Sequence, residues 1–471
     1  MNKEELKIKA VQVAEITNNY ELEVEDYSEK KGKGRAFFSW RNNKVYDCIS
    51  IELDDKGSLI SISREMINRL DHRVKMEEEQ LKEIALGFVK DHYSEVIHLF
   101  ELNEIIKESD DLIRFIYIQK ELHIALPYSG FYVDVTHKGD IVKFHYYGIA
   151  ENIIKPSETI NKKNAKEIYL NNLKMNLLIS NLNSDKYEEG DHLPHLVYEP
   201  QFKIFRLPAD PRISVVNQEY DENLNGSNLD RVSLPIPIER EMCIEDLIGL
   251  DSSAFKKIRE VDLGSTLGTV WRMEEDTPVV SGRDISSFFQ KRNENTIKII
   301  KDKQTGKIKN IFSFMNKKGS LKLNKENCYE IALQFLFKLY PQANEYFDFL
   351  PTKNETSKHG FMFHFRMTHD GIPIRYGNVE VSVNLSTGTV DHYMGPELDP
   401  EQLISINKVP TITRLQAKEI VKSEFDVELQ WEREIEDGEH YYRLVYKPVF
   451  PSLSGELAFI ESQSGECILK R

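Results

Sequence analysis

The stretch EIALGF, from Glu83 to Phe88, returns as EIALQF from Glu330 to Phe335, 247 residues further along the chain. Three more phrases return at nearly the same distance and in the same order: HYYG at 145–148 as HYMG at 392–395, AKEI at 165–168 as AKEI at 417–420, and LVYEPQF at 196–202 as LVYKPVF at 444–450. Chance does not keep four matches in one order at almost one spacing. The chain is therefore a tandem duplication, and chains built by repetition more often serve as binding scaffolds than as enzymes with one site.

A finer period lies inside each half, where polar turns that end in glycine separate two alternating apolar segments. Such a turn predicts a β-hairpin, and its glycine is expected to adopt a positive φ, which a Cβ makes costly. The turns recur 82 residues apart, or 77 in the last pair, so a unit has about 80 residues. Five of the six expected turns are present, and their glycines are Gly57, Gly139, Gly306, Gly388 and Gly465. A loop between Pro208 and Pro211 replaces the sixth turn.

Each unit is predicted to open with an amphipathic helix that antiparallel strands follow. In residues 78–93 apolar side chains recur three and four positions apart, and residues 328–339 repeat this stripe. Residues 113–118 and 361–366 alternate with a period of two and contain aromatic and branched side chains, which favours strands. Successive hairpins without strand–helix–strand alternation indicate an α+β fold in which helices cover antiparallel sheets.

The predicted organisation is two halves with about three helix-plus-antiparallel-sheet units each. Asp221 to Arg231 is the predicted linker, and the division near residue 235 gives halves 1–235 and 236–471. Two separate domains and two halves with interleaved sheets both remain possible. The units are predicted at about residues 1–70, 78–150 and 160–220, and at about 240–318, 325–397 and 410–471.

Composition restricts the class of protein. With 471 residues, 30% charged and 40% hydrophobic, the chain has ordinary globular composition. A net charge of −15 argues against a nucleic-acid binder, which needs a basic surface. The N-terminus lacks the apolar core of a signal peptide and no apolar run is long enough for a membrane span, so we expect a cytoplasmic protein. The four cysteines form no CxxC pair, and disulfides are not expected.

The order of elements in the second half resembles a known family. A helix and an aromatic strand precede Gly371-Ile-Pro-Ile374, Val381-Ser-Val383, the turn Ser386-Thr-Gly388 and the strand end from Tyr393 to Gly395. This order resembles the YcdB/YcdC repeat family of bacilli, whose units are similar to PepSY domains, small helix-plus-sheet modules. The resemblance covers nearly the whole chain and implies a non-catalytic module. Peptide binding or peptidase inhibition is implied only through the PepSY relatives.

No motif with an established chemistry stands out. HExxH, GxSxG and GxxxxGK[ST] are absent, so we predict no enzyme, no catalytic, cofactor-binding or metal residues, and no cofactor. Asp191, His192 and His195 have a metal-like spacing, but Pro194 prevents a regular helical face and no further cluster completes the shell. Three histidines spaced by five in a predicted strand alternate between its faces and cannot meet at one ion: His359, His364 and His369.

Residues that recur at the duplication offset are interpreted mainly as packing signatures. Tyr146 and Tyr393, each preceded by a histidine (His145 and His392), are predicted to end a strand, bury the ring and give the hydroxyl a partner. A ligand site at these positions is the alternative. Two glutamates in equivalent helices are expected to favour the positive helix N-terminus: Glu83 and Glu330.

The LVYxPxF phrase, which contains Tyr198 and Tyr446, predicts a buried strand whose proline marks an edge or a bulge. An edge strand can accept a peptide by adding it to the sheet.

The function predicted from these observations is non-catalytic binding or regulation. The partner is expected to be a peptide or protein, held on an exposed sheet edge or in the groove between the halves, and inhibition of a peptidase is one form that this could take. Two alternatives remain. One is a hydrolase with a site between the halves, for which Asp191, His192 and His195 are the candidates; the other is a structural subunit, which would expose a large apolar patch. The sequence does not indicate the oligomeric state.

Overall fold

The computed structural model describes residues 1–30, 33–45, 47–65, 74–217, 229–236, 242–273, 282–316, 319–351 and 359–471. Most of the predicted linker, 221–231, lies outside these ranges, as does the predicted start of the fourth unit at residue 240.

The first two units of the chain merge into one antiparallel sheet of eight strands, in the order β1-β2-β3-β4-β10-β9-β6-β5. Between β6 and β9 in the chain, β7 and β8 form a separate two-stranded sheet. The elements in chain order are α1 (Lys3–Ala14), β1 (Glu21–Lys30), β2 (Lys33–Asn42), β3 (Asp47–Asp54), β4 (Leu59–Glu65), α2 (Glu78–Tyr93), a 3-10 helix (Ile97–Leu99), β5 (Glu101–Ser109), β6 (Leu112–Ile118), β7 (Lys120–Glu121), β8 (Ile124–Ala125), β9 (Gly130–Thr136) and β10 (Ile141–Gly148).

The repeated HYYG phrase lies at the seam between these two units. His145 of β10 pairs with Ser61 of β4, which belongs to the first unit, and with Tyr132 of β9. Both helices cover one face of the joined sheet, because their buried residues recur four positions apart on one helical face. One core therefore serves both units, and among its buried members are Leu6, Ala10, Phe38, Leu81, Ala85, Phe115 and Phe144.

The third unit supplies one helix and two strand pairs. Strands β12 and β13 form a hairpin, whereas β14 pairs with the short β15. The turn between β14 and β15 starts directly after Pro208 and contains Pro211. The elements are β11 (Ile153–Ile154), α3 (Lys162–Asn171), β12 (Leu173–Asn181), β13 (Pro194–Phe202), β14 (Ile204–Pro208) and β15 (Val216–Asn217).

The second half begins by repeating the eight-stranded arrangement as β16-β17-β18-β19-β23-β22-β21-β20, and these eight strands are part of a sheet of twelve that continues from β22 into β12, β13 and the last two strands of the chain. The helix that opens its first unit is reduced to five residues in α4, although an amphipathic helix was expected in every unit. The elements are α4 (Ile244–Ile248), β16 (Phe255–Asp262), β17 (Thr266–Met273), α5 (Ile285–Asn293), β18 (Thr296–Asp302), β19 (Ile308–Ser313), α6 (Lys325–Leu339), α7 (Ala343–Tyr346), β20 (Phe347–Leu350), β21 (Gly360–His369), β22 (Ile372–Asn384), β23 (Val390–Met394) and a 3-10 helix (Pro400–Leu403).

The seam of this second sheet carries the second copy of the histidine–tyrosine phrase. His392 of β23 pairs with Phe312 of β19. Tyr393 is fully buried, and its hydroxyl lies 3.1 Å from the hydroxyl of Tyr340. In the first half the equivalent rings, Tyr146 and Tyr93, stack with 3.9 Å between their centroids. The phrase thus lies at a seam between units in both halves. The predicted buried ring with a partner for its hydroxyl is found at Tyr393, whereas Tyr146 is half-buried and packs through its ring.

The last unit closes the chain with α8 (Arg414–Glu424), β24 (Asp426–Glu436), β25 (Glu439–Val449), β26 (Leu457–Glu461) and β27 (Cys467–Leu469). It does not form a sheet by itself, because the third and sixth units exchange hairpins. The β12–β13 hairpin lies beside β26, where Val197 pairs with Glu461, and α8 packs on all three strands. In return, the β24–β25 hairpin lies beside β14, where Tyr446 pairs with Leu207, and α3 packs on β24. The two halves therefore interleave their sheets.

The cores under the exchanged hairpins contain side chains from both halves. Burying each large apolar side chain contributes about 1.5–3 kcal/mol, so the exchange is held mainly by these contacts. Under α8, Leu173, Met175 and Tyr198 pack with Ala417, Val421, Leu457 and Ile460; under α3, Ala165, Tyr169 and Leu207 pack with Phe425, Trp431 and Leu444.

Two tyrosine hydroxyls tie each exchanged hairpin to the segment before the other half's helix. Tyr198 donates to the carbonyl oxygen of Ile412, 3.0 Å away and just before α8. Tyr446 donates to the carbonyl oxygen of Ile160, 2.8 Å away and just before α3. Both tyrosines belong to LVYxPxF, so the repeated phrase makes the same contact twice across the exchange.

The strands that carry LVYxPxF are buried as expected, but they are not free edges at the tyrosines. At Tyr198, β13 pairs with β12 on one side and β26 on the other, and at Tyr446, β25 pairs with β24 on one side and β14 on the other. Two residues later, at Pro200 and Pro448, the pairing with β26 and with β14 has ended. A proline cannot donate to a ladder, so it ends the two-sided part of the strand. Addition of a peptide to these strands at the tyrosines is therefore excluded.

The turn glycines adopt the backbone conformation that the sequence predicts. Gly388 has a φ of +69°, and a Cβ there would lie 3.5 Å from Cδ1 of Ile331, the isoleucine of the second EIAL phrase. A Cβ at Gly139 would lie 3.0 Å from Cδ1 of Ile84, the isoleucine of the first EIAL phrase. The hairpin end and the helix of a unit thus meet at glycine. The φ angles lie between +69° and +87° at all five positions: Gly57, Gly139, Gly306, Gly388 and Gly465.

The prediction for Glu83 and Glu330 is wrong. Each is the sixth residue of its helix, beyond the first turn, where the favourable effect of the helix dipole on a carboxylate has faded. Glu330 accepts a hydrogen bond from the backbone N–H of Ile236, 3.0 Å away, and so holds the segment that enters the second half.

We expect Tyr198→Phe and Tyr446→Phe each to lower the free energy of unfolding by about 1 kcal/mol, because each removes one hydrogen bond across the exchange. Tyr441→Phe is the control, since the Tyr441 hydroxyl is exposed and bonds Glu439 within its own hairpin. Urea denaturation of the three variants measures the difference. Equal stability of all three would contradict the structural role of the two bridging tyrosines.

Candidate binding cleft between the halves

The two halves differ most clearly at one connection. In the first half residues 43–46 join β2 to β3, whereas residues 274–295 join the equivalent strands β17 and β18. The described part of this insertion, 282–295, contains α5, whose first turn is capped by the carboxylate of Asp284 through the N–H of Ser287 at 2.9 Å. An insertion present in one copy is a place where a function can differ from the shared scaffold.

The insertion reaches the other half of the chain. The carbonyl oxygen of Arg283 accepts a hydrogen bond from the N–H of Glu25 at 2.8 Å, and the N–H of Ile285 donates to the carboxylate of Asp26 at 3.3 Å. The two first-half groups in these bonds, the N–H of Glu25 and the carboxylate of Asp26, lie on β1, the outermost strand of its sheet. The inserted segment therefore bridges the edge of one sheet to the other half.

A cleft of about 1200 Å³ lies where the insertion, β1 and the face of β16–β19 meet. It is larger than the roughly 300–1000 Å³ of ordinary small-molecule pockets. Gly268 of β17 lies on its floor, where the missing side chain leaves room. Apolar side chains form a large part of the lining: Leu22, Val261, Val270, Phe288, Phe312 and Phe314.

The charged lining of the cleft is mostly positive, although the chain as a whole carries −15. Two acids, Glu21 and Glu23, lie on the β1 wall, and Glu23 is already paired with Arg41 at 3.1 Å. Within the described ranges, the remaining cations have no carboxylate oxygen within 4.0 Å: Arg259, Arg272, Arg283, Lys291, Arg292 and Lys298. The cleft is therefore a local reversal of the protein's charge.

Three of these cations have identifiable structural contacts, and one of them is Arg292, whose guanidinium lies 5.4 Å from the ring centre of Phe288. Arg272 donates from one terminal nitrogen to the carbonyl oxygens of Lys291 and Arg292, at 3.0 and 3.1 Å, and so caps the C-terminal end of α5. Lys298 donates to the side-chain oxygen of Asn293 at 2.7 Å and lies 4.9 Å from the ring centre of Phe314. Burial, and then the charges of Arg292 and Arg259, lower the pKa of Lys298.

We expect Lys298→Met to raise the free energy of unfolding at neutral pH by about 0.5–1 kcal/mol. The folded state lowers the pKa of Lys298, so the charged form is disfavoured there. This cost is present at neutral pH and is lost as the pH rises from the folded pKa to the ordinary pKa of lysine. Methionine keeps the apolar contact and removes the charge together with the hydrogen bond to Asn293, so the expected gain is the cost of the charge less the contribution of that bond. Lys301→Met, an exposed lysine of the same strand, is the control and is expected to change stability by less than about 0.5 kcal/mol. A destabilised Lys298→Met protein would contradict the electrostatic account.

The three residues proposed for a hydrolase do not form one site. His195 bonds Asp191, with 3.0 Å between Nε2 and Oδ2, and its Nδ1 lies 3.9 Å from Glu461 across the exchange. His192 instead bonds the hydroxyl of Ser184 at 2.8 Å. Burial acts in the opposite direction, but hydrogen bonds from the Leu193 N–H and from His195 lower the pKa of Asp191. His195 lines a cavity of about 450 Å³ that both halves form, whereas His192 is turned to a separate partner.

Two of the other histidines meet at one carboxylate, and His369 has a separate neighbour. His364 and His392 approach the same carboxylate, Glu380, at 3.7 and 3.4 Å on the face of the second sheet. His369 stacks on Tyr346, with 5.9 Å between ring centres, and a register shift between Arg366 and Thr368 interrupts the alternation between His364 and His369. Across the described ranges, His, Cys, Asp and Glu side chains form no group of three that could hold a metal ion.

The residues of the cleft were not identified from the sequence. Arg259, Lys298 and Arg292 are separated in the chain by other elements, so no motif joins them. One signal was available: Lys291 and Arg292 lie in the stretch that lengthens the second copy relative to the first. A search confined to the positions where the copies differ would have reached α5.

Comparison with known proteins assigns the chain to a family. The family described as the YcdB, YcdC repeated domain matches residues 3–148 and 245–397, which correspond to the eight-stranded first sheet and to the equivalent eight strands of the twelve-stranded second sheet. The chain belongs to this family, as its repeated phrases predict. The third and sixth units, which exchange hairpins, lie outside the matched ranges.

Two relatives from Bacillus subtilis (strain 168) match almost end to end, and both are uncharacterised. YcdB is 37% identical over 476 residues, with 99% of this chain and 98% of YcdB covered. YcdC is 35% identical over 457 residues, with 96% of this chain and 97% of YcdC covered.

Among solved structures, the Bacillus megaterium YpeB C-terminal domain is 14% identical, with a TM-score of 0.28, and covers 47% of this chain and 99% of that domain. An uncharacterised protein from Eubacterium rectale ATCC 33656 is 13% identical with a TM-score of 0.20, over 45% of this chain and 76% of that protein. In the part of this chain that the structure describes, no helix combines the length and the apolar character needed to cross a membrane.

Proposed function

We propose that this protein is a non-catalytic binding or regulatory module, built from PepSY-like repeats, that takes a segment of a peptide or protein into the cleft between its halves. The observation that carries the proposal is the cleft itself: about 1200 Å³, lined by both halves and walled by an insertion that only the second half contains. Its volume suits a stretch of chain better than a small molecule.

The geometry around the cleft supports a chain-like ligand. Strands β1 and β16 are the outermost strands of their sheets, and both contribute residues to the lining. An extended segment beside such a strand can use backbone hydrogen bonds for affinity and side-chain pockets for specificity. Because LVYxPxF is paired on both sides at its tyrosines, the cleft replaces it as the proposed binding position.

The competing function, hydrolysis at a site between the halves, has weaker support. Asp191 and His195 are joined and lie near Glu461, but His192 bonds Ser184 and does not contribute to that cavity. Inhibition of a peptidase would be one consequence of binding a protein segment. The cytoplasmic location stays a prediction.

A tryptophan at position 268 tests the proposed binding position. The φ of Gly268 lies outside the left-handed region, and a Cβ there would lie 3.3 Å from Cδ1 of Leu263, so Gly268→Trp fills the cleft without backbone strain after a small shift of that side chain. We expect peptides selected from a random library on the full chain to bind Gly268→Trp at least about tenfold more weakly, measured by fluorescence anisotropy.

Gly87→Trp is the matched control, because Gly87 is exposed on α2 and nothing lies within 4 Å of a Cβ there. It is expected to bind like the unmodified protein. If no peptide is selected, or if Gly268→Trp binds as well as Gly87→Trp, the proposed function is wrong.

A further inference from the structure

We infer that the segment bound in the cleft is acidic, with carboxylate side chains interspersed among apolar ones. The inference rests on the proposed function and adds the chemical class of its ligand. It depends on four cations whose positions converge from three elements: Arg259 on β16, Lys298 on β18, and Lys291 and Arg292 on α5.

The cations of the cleft lie close together without carboxylate partners. Lysines without an ion pair also occur elsewhere in the described ranges, for example Lys301, so the observation matters here because four cations line one cleft. By contrast, Lys303, directly after β18, does not line the cleft and pairs with Asp262 at 2.5 Å. Among the described residues, the four cations of the cleft have no carboxylate oxygen within 4.0 Å. A bound ligand with carboxylates would supply the missing charge.

The cations also act on one another. Arg292 and Arg259 both disfavour the protonated form of Lys298, which shows that the three positive charges share one field. Like charges held together cost stability, and opposite charge from a ligand converts that cost into affinity. Clefts lined by one sign of charge also raise the local concentration of the oppositely charged ligand. The arrangement is therefore suited to an anion, and not to a neutral or basic segment.

The apolar part of the lining further restricts the chemical class of the ligand. Val261, Val270 and Phe312 are contributed by β16, β17 and β19, on the same side of the sheet as Arg259 and Lys298. A ligand that satisfies both sets of side chains needs apolar groups between its charges. Alternating side chains of an extended peptide provide this spacing, since successive residues point to opposite faces.

Charge outside the four cations favours a peptide over a nucleic acid. Glu21 and Glu23 lie on the β1 wall of the same cleft, where a uniform phosphate backbone would face them. The remaining surface of a chain with a net charge of −15 would repel a polyanion that extends beyond the cleft. A short peptide can place apolar residues opposite the two glutamates and confine its carboxylates to the basic wall.

The test uses the full chain and three fluorescein-labelled probes. The first is a synthetic peptide in which Glu alternates with Val and Phe, the second has Gln in place of every Glu, and the third is a single-stranded RNA of similar length. We expect the Glu peptide to bind at least about tenfold more tightly than the Gln peptide, the factor that one charge-assisted hydrogen bond provides. Its affinity is expected to fall as salt is raised above about 0.15 M.

The variants locate the charge preference. The double variant Arg259→Ala/Arg292→Ala is expected to bring the Glu-to-Gln affinity ratio close to one. Lys257→Ala is the matched control, because Lys257 lies on the same strand, pairs with Glu260 at 2.7 Å and does not line the cleft. It is expected to keep the ratio of the unmodified protein. Thermal unfolding of each variant separates loss of binding from loss of fold.

Three results would overturn the inference: a Glu-to-Gln ratio near one in the unmodified protein, RNA binding as tight as that of the Glu peptide, or no binding of the Glu peptide. The proposed function fails separately. If selected peptides are neutral and Gly268→Trp still blocks them, the cleft binds peptides but not through charge. If Gly268→Trp has no effect on any peptide, the cleft is not the binding position.

Discussion

The exchange of hairpins between the third and sixth units is the constraint on which the rest of the structure depends. A helix with two strands leaves an apolar face uncovered, and each of these units covers that face with strands from the other half. The cores that result cannot form from either half alone. Because β12 also pairs in parallel with β22 at Ile179 and Ile374, the β12–β13 hairpin of the first half is part of the twelve-stranded second sheet.

This attachment gives the cleft its two walls. One wall is β1, at the far edge of the first sheet, and the other is the face of β16–β19, so the cleft exists only while the halves keep their relative position. The inserted α5 adds backbone hydrogen bonds to β1 at Glu25 and Asp26. Duplication thus supplied a symmetric scaffold, and divergence of one connection placed a charged surface between the copies.

Local features of the fold were predictable from the sequence, because they depend on neighbouring residues. The turn glycines, the stripe of α2 and the buried tyrosines of LVYxPxF follow from φ restrictions and from periods of two and 3.6. The duplication itself predicted that His145 and His392 have equivalent roles. The role of Glu83 and Glu330 was misjudged because their distance from the helix start depends on where Glu78 and Lys325 begin the helices, and helix ends are poorly determined by pattern.

Exchange of hairpins was not predictable, since β14 and β26 are equivalent strands and either could pair with β13 or β25 by local pattern. Pairing is decided by which arrangement buries both helices, and this is a property of the whole chain. A groove between the halves is one of the binding positions expected from the sequence, but its lining residues escaped prediction for a related reason: Arg259, Lys298 and Arg292 belong to three elements that only the tertiary structure brings together. The apolar residues of the cleft also alternate along their strands as in any strand with one buried face, so the sequence pattern does not distinguish them.

Cleavage between the halves tests the exchange most directly. A protease recognition sequence placed within residues 221–228 would allow the folded protein to be cut into two fragments near the predicted linker. Interleaved cores predict that the fragments elute together in size-exclusion chromatography under native conditions and separate only in denaturant. Fragments that separate in native buffer, each retaining its sheet content by circular dichroism, would contradict the exchange.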